Sequence, residues 1–191
     1  MSGLLTNGVP SIGPLYGSEK TLLDTTNATG SLPITAAASL VHLAAVMNML
    51  ANNVSATPVS GTRYYVSTSI GVAQQITGVQ FLIGATGGTD NAIVELHDST
   101  GALVATSATA GTLVGTAGTY QRIAFTAPYN AQPGTYFIAL QLNGTTARFA
   151  QYNAPSTPLL TGSATGTFGT GAAITPPTTY TAARGPVALL Y

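Results

Sequence analysis

The sequence predicts a mainly β protein: a jelly-roll-like β-sandwich with an extended N-terminal arm and one apolar α-helix. Three observations carry this reading. The 191 residues include 31 Thr and 22 Gly, an excess of a strand former and a turn former. From about residue 60 onward, short alternations of apolar and polar residues recur between Gly, Pro and Asn turn signals, as in stacked antiparallel sheets. Charged residues make up 5% of the chain and sum to a net charge of zero, against about 25% in an ordinary soluble domain.

Residues 1–33 read as the arm. Val9-Pro10, Gly13-Pro14 and Leu32-Pro33 each push the preceding residue toward extended geometry, and neither the strand nor the helix period persists. An arm without a core of its own is disordered or laid against a partner. Apolar residues such as Ile12, Leu15 and Leu22 favour the partner, because a solvated arm has no use for them. Residues 34–53 read as the helix. Thr35 is the N-cap candidate, and Leu40, Leu43, Ala44, Met47 and Leu50 form a stripe at helical spacing. Val41, Val46 and Met49 lie off that stripe, so the helix is apolar around most of its circumference and calls for burial on more than one side. These eight residues (Ile12, Leu15, Leu22, Leu40, Leu43, Ala44, Met47 and Leu50) are the candidate subunit interface.

Residues 60–191 read as the β-domain. Strands are expected over 62–68, over 76–84 with Val79, Phe81 and Ile83 on one face, and over 92–98 and 103–107. The last two flank Asp98-Ser99-Thr100-Gly101, a hairpin signal with Gly where positive φ is needed. Further strands fall over 120–126, over 136–142 with Tyr136, Ile138, Leu140 and Leu142 on one face, and over 147–152 after the Asn143-Gly144 turn. Residues 155–184 are dense in Gly, Thr and Pro and read as a long loop or a second arm. Residues 187–191 suit a last strand that re-enters a sheet.

Composition excludes several functions. One Lys and four Arg cannot neutralise a row of phosphates, so no nucleic-acid partner is expected. Without Cys there is no disulfide framework and no thiolate metal site. The most apolar window, 36–51, holds Ser39, His42 and Asn48 and falls short of the roughly 20 residues a membrane span needs. Residues 1–10 lack the basic and apolar regions of a secretory signal. No Gly-x-Ser-x-Gly elbow is present, and five acids are a thin supply for a pair of catalytic carboxylates. The expectation is a non-enzyme without a cofactor.

Few residues offer chemistry. Glu95, His97 and Asp98 are the one close ionisable group, with Glu95 and His97 on one side of their strand. Two ligands are a weak metal signal, and the reading adopted is a solvated strand face at a hairpin end. Asp90 and Asn91 offer oxygen ligands for calcium, but no Asp-rich run accompanies them, so they read as a polar loop tip. His42 is a lone imidazole on the helix. Arg63, Arg122 and Arg148 sit on expected strands, either at subunit contacts or on solvated faces. Tyr129, Tyr152 and Tyr180 lie in or beside loops, available for sugar or protein contact or for edge packing. The acceptor patterns at Asn27, Asn53 and Asn143 are chance matches in a Thr-rich chain.

Residues 76–83, 92–105 and 133–140 together resemble the jelly-roll sandwiches of carbohydrate-binding modules and phage virion proteins. Residues 17–20, 24–26, 33–36 and 43–44 resemble the N-terminal segments of tailed-phage head and tail accessory proteins. The chain departs from the carbohydrate-binding pattern in having no Trp and few acids. The phage resemblance implies a small sandwich on a capsid or tail, built as a trimer or other homo-oligomeric ring whose arms grip neighbours. Its implied partners are the major capsid protein or tail proteins, and its implied location is the virion. The expected role is therefore capsid decoration or cement. The alternatives are a tail-fibre protein contacting a host glycan and a carbohydrate-binding module.

Overall fold

Alternation of branched and aromatic residues with small polar ones sets the strands. In the computed structural model, which describes residues 53–153 and 159–191, eleven strands follow one another and no helix is found among the described residues. They are β1 (Asn53–Ala56), β2 (Arg63–Ile70), β3 (Gln74–Leu82), β4 (Asn91–His97), β5 (Leu103–Thr106), β6 (Thr112–Leu113), β7 (Tyr120–Ala131), β8 (Gly134–Leu142), β9 (Phe149–Tyr152), β10 (Thr161–Ala164) and β11 (Ala188–Leu190). All belong to one unit, Met49–Tyr191. The expected arm, residues 34–52 of the expected helix and the eight candidate interface residues on them (Ile12, Leu15, Leu22, Leu40, Leu43, Ala44, Met47 and Leu50) lie outside the described residues, as does His42; Asn53, the last residue of the expected helix, opens β1 instead.

The strands form antiparallel sheets. The larger one runs β10-β2-β8-β4-β5, with the short β6 also on β4. A second sheet runs β11-β3-β7, and β9 pairs with β1. Bridges at Ile83–Phe149 and Gln151–Pro186 join that pair to the second sheet. Register decides which side chains share a face. Tyr64 lies opposite Leu140, which lies opposite Val94; Val66 lies opposite Ile138, which lies opposite Leu96. These residues pack with Val79, Phe81, Ile83, Ile123 and Phe149 of the other strands in one continuous core. Its aromatic members include Tyr64 and Phe149, whose rings sit 5.0 Å apart.

The alternation read along 76–84 is present: Val79, Phe81 and Ile83 are buried and Gln80 and Leu82 half-buried. On β7, Ile123 and Phe125 point inward and Arg122 and Ala124 outward. Gly101 has the positive φ that its hairpin position requires, 90°. Its missing side chain also matters, because a Cβ there would collide with the Ile174 carbonyl oxygen.

Two features differ from expectation. Residues 155–184 contain β10, paired to β2, and carry buried Ile174, so this stretch is neither a bare loop nor a free arm. The larger sheet is also covered on both faces. Its far side holds a second apolar cluster of Tyr65, Phe137, Ala139 and Ile174.

Burial orders the sensitivity of these positions. Phe81 is fully buried and Val59 is 60% exposed. Phe81→Ala should cost about 3–5 kcal/mol and Val59→Ala within about 0.5 kcal/mol, as read from urea denaturation midpoints.

Candidate functional site

Ionisable groups in so uncharged a chain mark where its polar chemistry lies. On the far side of the larger sheet, β2 presents Arg63, β8 presents Gln141 and β4 presents Glu95 and His97. Ala139 is the direct partner of Glu95 on β8 and of Tyr65 on β2. As a small residue on the strand between them, it leaves room for Arg63 to cross over and reach Glu95. Arg63 Nε donates to Glu95 Oε2 at 2.9 Å. His97 Nε2 stands 3.4 Å from Glu95 Oε1, and His97 Nδ1 lies 3.3 Å from the Gly101 carbonyl oxygen. Arg63, Glu95, His97 and Gln141 are at most 3% exposed. Glu95 Oε1 and His97 Nε2 have no hydrogen-bond partner of normal geometry and face each other.

The expectation of a solvated strand face for Glu95 and His97 is therefore wrong. The two do share a side of β4, but that side is roofed by a strap, residues 165–176. Arg63 Nη2 donates to the Thr170 carbonyl. Gln141 Nε2 donates to the carbonyls of Gly61 at 2.6 Å and Thr167 at 3.3 Å, and its Oε1 accepts from Gly169 N–H at 3.3 Å. Ile174 N–H donates to the Gly101 carbonyl at 2.9 Å. The same strap covers Tyr65, whose pKa is raised by burial. A charge taken from water costs several kcal/mol unless it is paired and hydrogen-bonded, and here Arg63 pairs with Glu95 through Oε2 while fastening the strap. The arrangement is a closed latch, with Glu95 and His97 shielded from solvent beneath the strap.

The other acids among the described residues, Asp90 and Asp98, are also used internally. Asp90 Oδ2 accepts from the N–H groups of Thr146 at 2.8 Å and Ala147 at 2.7 Å, tying down the turn after β8. Asn91 donates through Nδ2 to the Ala110 carbonyl. Asp98 Oδ1 caps the β4–β5 hairpin, accepting from Thr100 N–H at 2.8 Å, Thr100 Oγ1–H at 2.7 Å and Ala102 N–H at 3.1 Å. The Thr100 hydroxyl and these amides hold its carboxyl below the usual carboxylate range. No group of three or more His, Cys, Asp or Glu placed to hold a metal occurs among the described residues.

Arg122, on the open face of β7, donates to Gln80 Oε1 at 3.0 Å and stacks 4.5 Å over the Tyr191 ring. Arg148 immediately precedes β9, and its backbone bonds to Gly84 and Thr86. Of the three tyrosines singled out from the sequence, Tyr152 is buried, with its pKa raised by that burial foremost and by Tyr120 second. Tyr129 and Tyr180 are half-buried against the core, and Tyr129 meets Tyr136 edge-on at 6.2 Å.

One open groove of about 400 Å³ lies beside the second sheet, lined by Ser55, Leu82, Ala85, Ala117, Gly118 and Ala150 among others. Its one hydroxyl, Ser55 Oγ, already accepts from Ala85 N–H at 2.8 Å. None of its described lining residues is titratable. No protein-family model matches the chain, and neither a curated protein nor a solved structure matches it.

Two outcomes follow. Arg63→Met leaves the Glu95 carboxylate buried without its partner and should cost about 3–5 kcal/mol in urea denaturation. The double change Arg63→Met with Glu95→Met should cost less, because no lone charge remains. For Asp98 the folded pKa lies below the ordinary 3.8, so the unfolded chain binds the extra proton first. Its stabilisation is complete above that value and is lost as pH falls through the folded pKa. The Tm gap between wild type and Asp98→Ala should therefore be constant at neutral pH and shrink below pH 3.8.

Proposed function

We propose that this chain is a structural protein of an assembled particle, a jelly-roll-like sandwich that decorates and cements a bacteriophage head. Its work is mechanical. The arm at 1–33 and the apolar helix at 34–52 bury apolar area against neighbouring copies and the major capsid protein, and the β-domain faces outward. A homo-oligomeric ring, a trimer foremost, is the natural unit for such a role.

One observation carries the reading. Among the described residues, Asp90, Glu95 and Asp98 all spend their carboxylates on internal bonds, and the whole sequence holds only ten charged residues. A lone molecule of zero net charge lacks the ionic repulsion that keeps proteins apart in solution. Burial against partners removes that need. The open apolar groove beside Leu82 and Ala150 and the exposed Val54, Val59, Val72 and Leu113 support the same conclusion. Among the described residues, the acids are spent internally and the tyrosines are buried or half-buried, which favours decoration over a receptor-binding role.

The test is sedimentation followed by imaging. The full chain should sediment as a discrete oligomer at micromolar concentration and bind emptied phage heads in a regular lattice. A variant lacking residues 1–52 should lose head binding while keeping its β-rich circular dichroism. A freely soluble monomer with no affinity for heads or tails would overturn the proposal.

A further inference from the structure

Residues 185–187 bond to β9 and residues 187–191 to β3. Leu82 N–H donates to the Val187 carbonyl at 2.9 Å on one side, and Val187 N–H donates to the Ala150 carbonyl at 2.8 Å on the other. Tyr152 N–H donates to the Gly185 carbonyl at 2.9 Å, and Tyr191 N–H to the Gly78 carbonyl at 3.2 Å. The segment thus fills a slot between β3 and β9. The other backbone link across that slot among the described residues lies at 83–86 with 148–149.

The slot recognises this segment residue by residue. At its mouth Gly185 passes Thr161 and Val66 so closely that a Cβ would stand 2.5 Å from Thr161 Cγ2. Val187 and Ala188 enter the core. At the far end the register of β3 shifts between Ile76 and Gly78, which aims two successive N–H groups at one acceptor. The Tyr191 carbonyl takes Thr77 N–H at 2.7 Å, Gly78 N–H at 3.3 Å and the Thr77 hydroxyl at 3.1 Å. The Tyr191 ring lies on bare Gly78, where a Cβ would come within 2.5 Å of its hydroxyl, and Arg122 closes over it.

The connection into this segment carries backbone strain, although Thr181 N–H donates to Thr161 Oγ1 at 2.9 Å and Ala183 N–H to the Tyr152 carbonyl at 3.1 Å. Residues 181–184 are all exposed, and Ala183 is the one non-glycine among the described residues with positive φ, 62°. A side chain in that region is strained against its own backbone. An extended passage through 181–184 removes that strain, exchanges the Thr181 and Ala183 backbone bonds for water, and carries residues 185–191 away from their own slot.

We propose that the slot between β3 and β9 is an interaction surface whose second occupant is residues 185–191 of another copy of this chain. An identical segment makes identical contacts, so own and exchanged occupancy differ only in the hinge and in concentration. Edge-to-edge strand insertion supplies the backbone bonds, and the Val187, Ala188 and Tyr191 seats supply specificity. Reciprocal donation closes a dimer, and head-to-tail donation closes a ring or runs on as a fibre. The inference does not depend on a viral setting.

The chain has no cysteine, which makes the test clean. Leu189 and Gln80 are direct partners in the register, and both are half-buried. Two full-length chains with different tags, one carrying Gln80→Cys and the other Leu189→Cys, are co-expressed and oxidised mildly. Exchange predicts co-purification of both tags and a disulfide-linked species containing both chains, absent when either variant is expressed alone. Chains carrying both changes should then link into dimers or longer ladders. A disulfide confined within single double-variant chains, or no link between the co-expressed variants whether or not the tags co-purify, would overturn the inference.

Discussion

A guanidinium and a carboxylate cannot be left in an apolar layer without each other, and the far side of the larger sheet is organised by that constraint. Arg63 and Glu95 sit on strands separated by β8, so their contact crosses a neighbour reduced to Ala139. The guanidinium then has donors left over, and these require acceptors inside the protein. Thr170 provides one. Gln141, on the strand between, meets the same demand with Gly61, Thr167 and Gly169. The strap is therefore the remaining half of the pair's solvation shell, supplied by the protein. Tyr65 and Phe137 are buried beneath the roof that this polar requirement holds in place.

Much of the β-domain was legible. The alternation at 76–84, the hairpin around Gly101 and the strand after Pro133-Gly134 rest on local signals of turn chemistry and side-chain period, and such signals survive folding. The double-sided cover of the larger sheet was not read, although a sign of it was present. β4 and β8 run through Ala92-Ile93-Val94 and Phe137-Ile138-Ala139-Leu140 with no polar break. Near-continuous apolar runs are what a strand buried on both faces looks like. Taking only the even positions of 136–142 as a face hid Phe137 and Ala139, which face the strap.

The charged cluster was missed for a different reason. Adjacency in sequence grouped Glu95 and His97 with Asp98, whereas Glu95's partner is Arg63, 32 residues away. No local pattern encodes that distance; it is set by the strand order, which puts only β8 between β2 and β4. β10 was missed because Thr161, Gly162, Ser163 and Ala164 have no apolar alternation, and their strand geometry comes from pairing with β2.

The bonds that fasten the strap share a property with evolutionary weight. Thr170 and Thr167 contribute main-chain oxygens, and Gly169 and Ile174 contribute main-chain nitrogens. None of these four ties uses the identity of the strap's own side chain. Drift in this Thr- and Gly-rich stretch is thus decoupled from the latch it completes, while Arg63, Glu95 and Gln141 are not free to wander. Descendants of this fold are expected to keep the three anchors on their strands and to lose textual likeness first in the stretch that covers them.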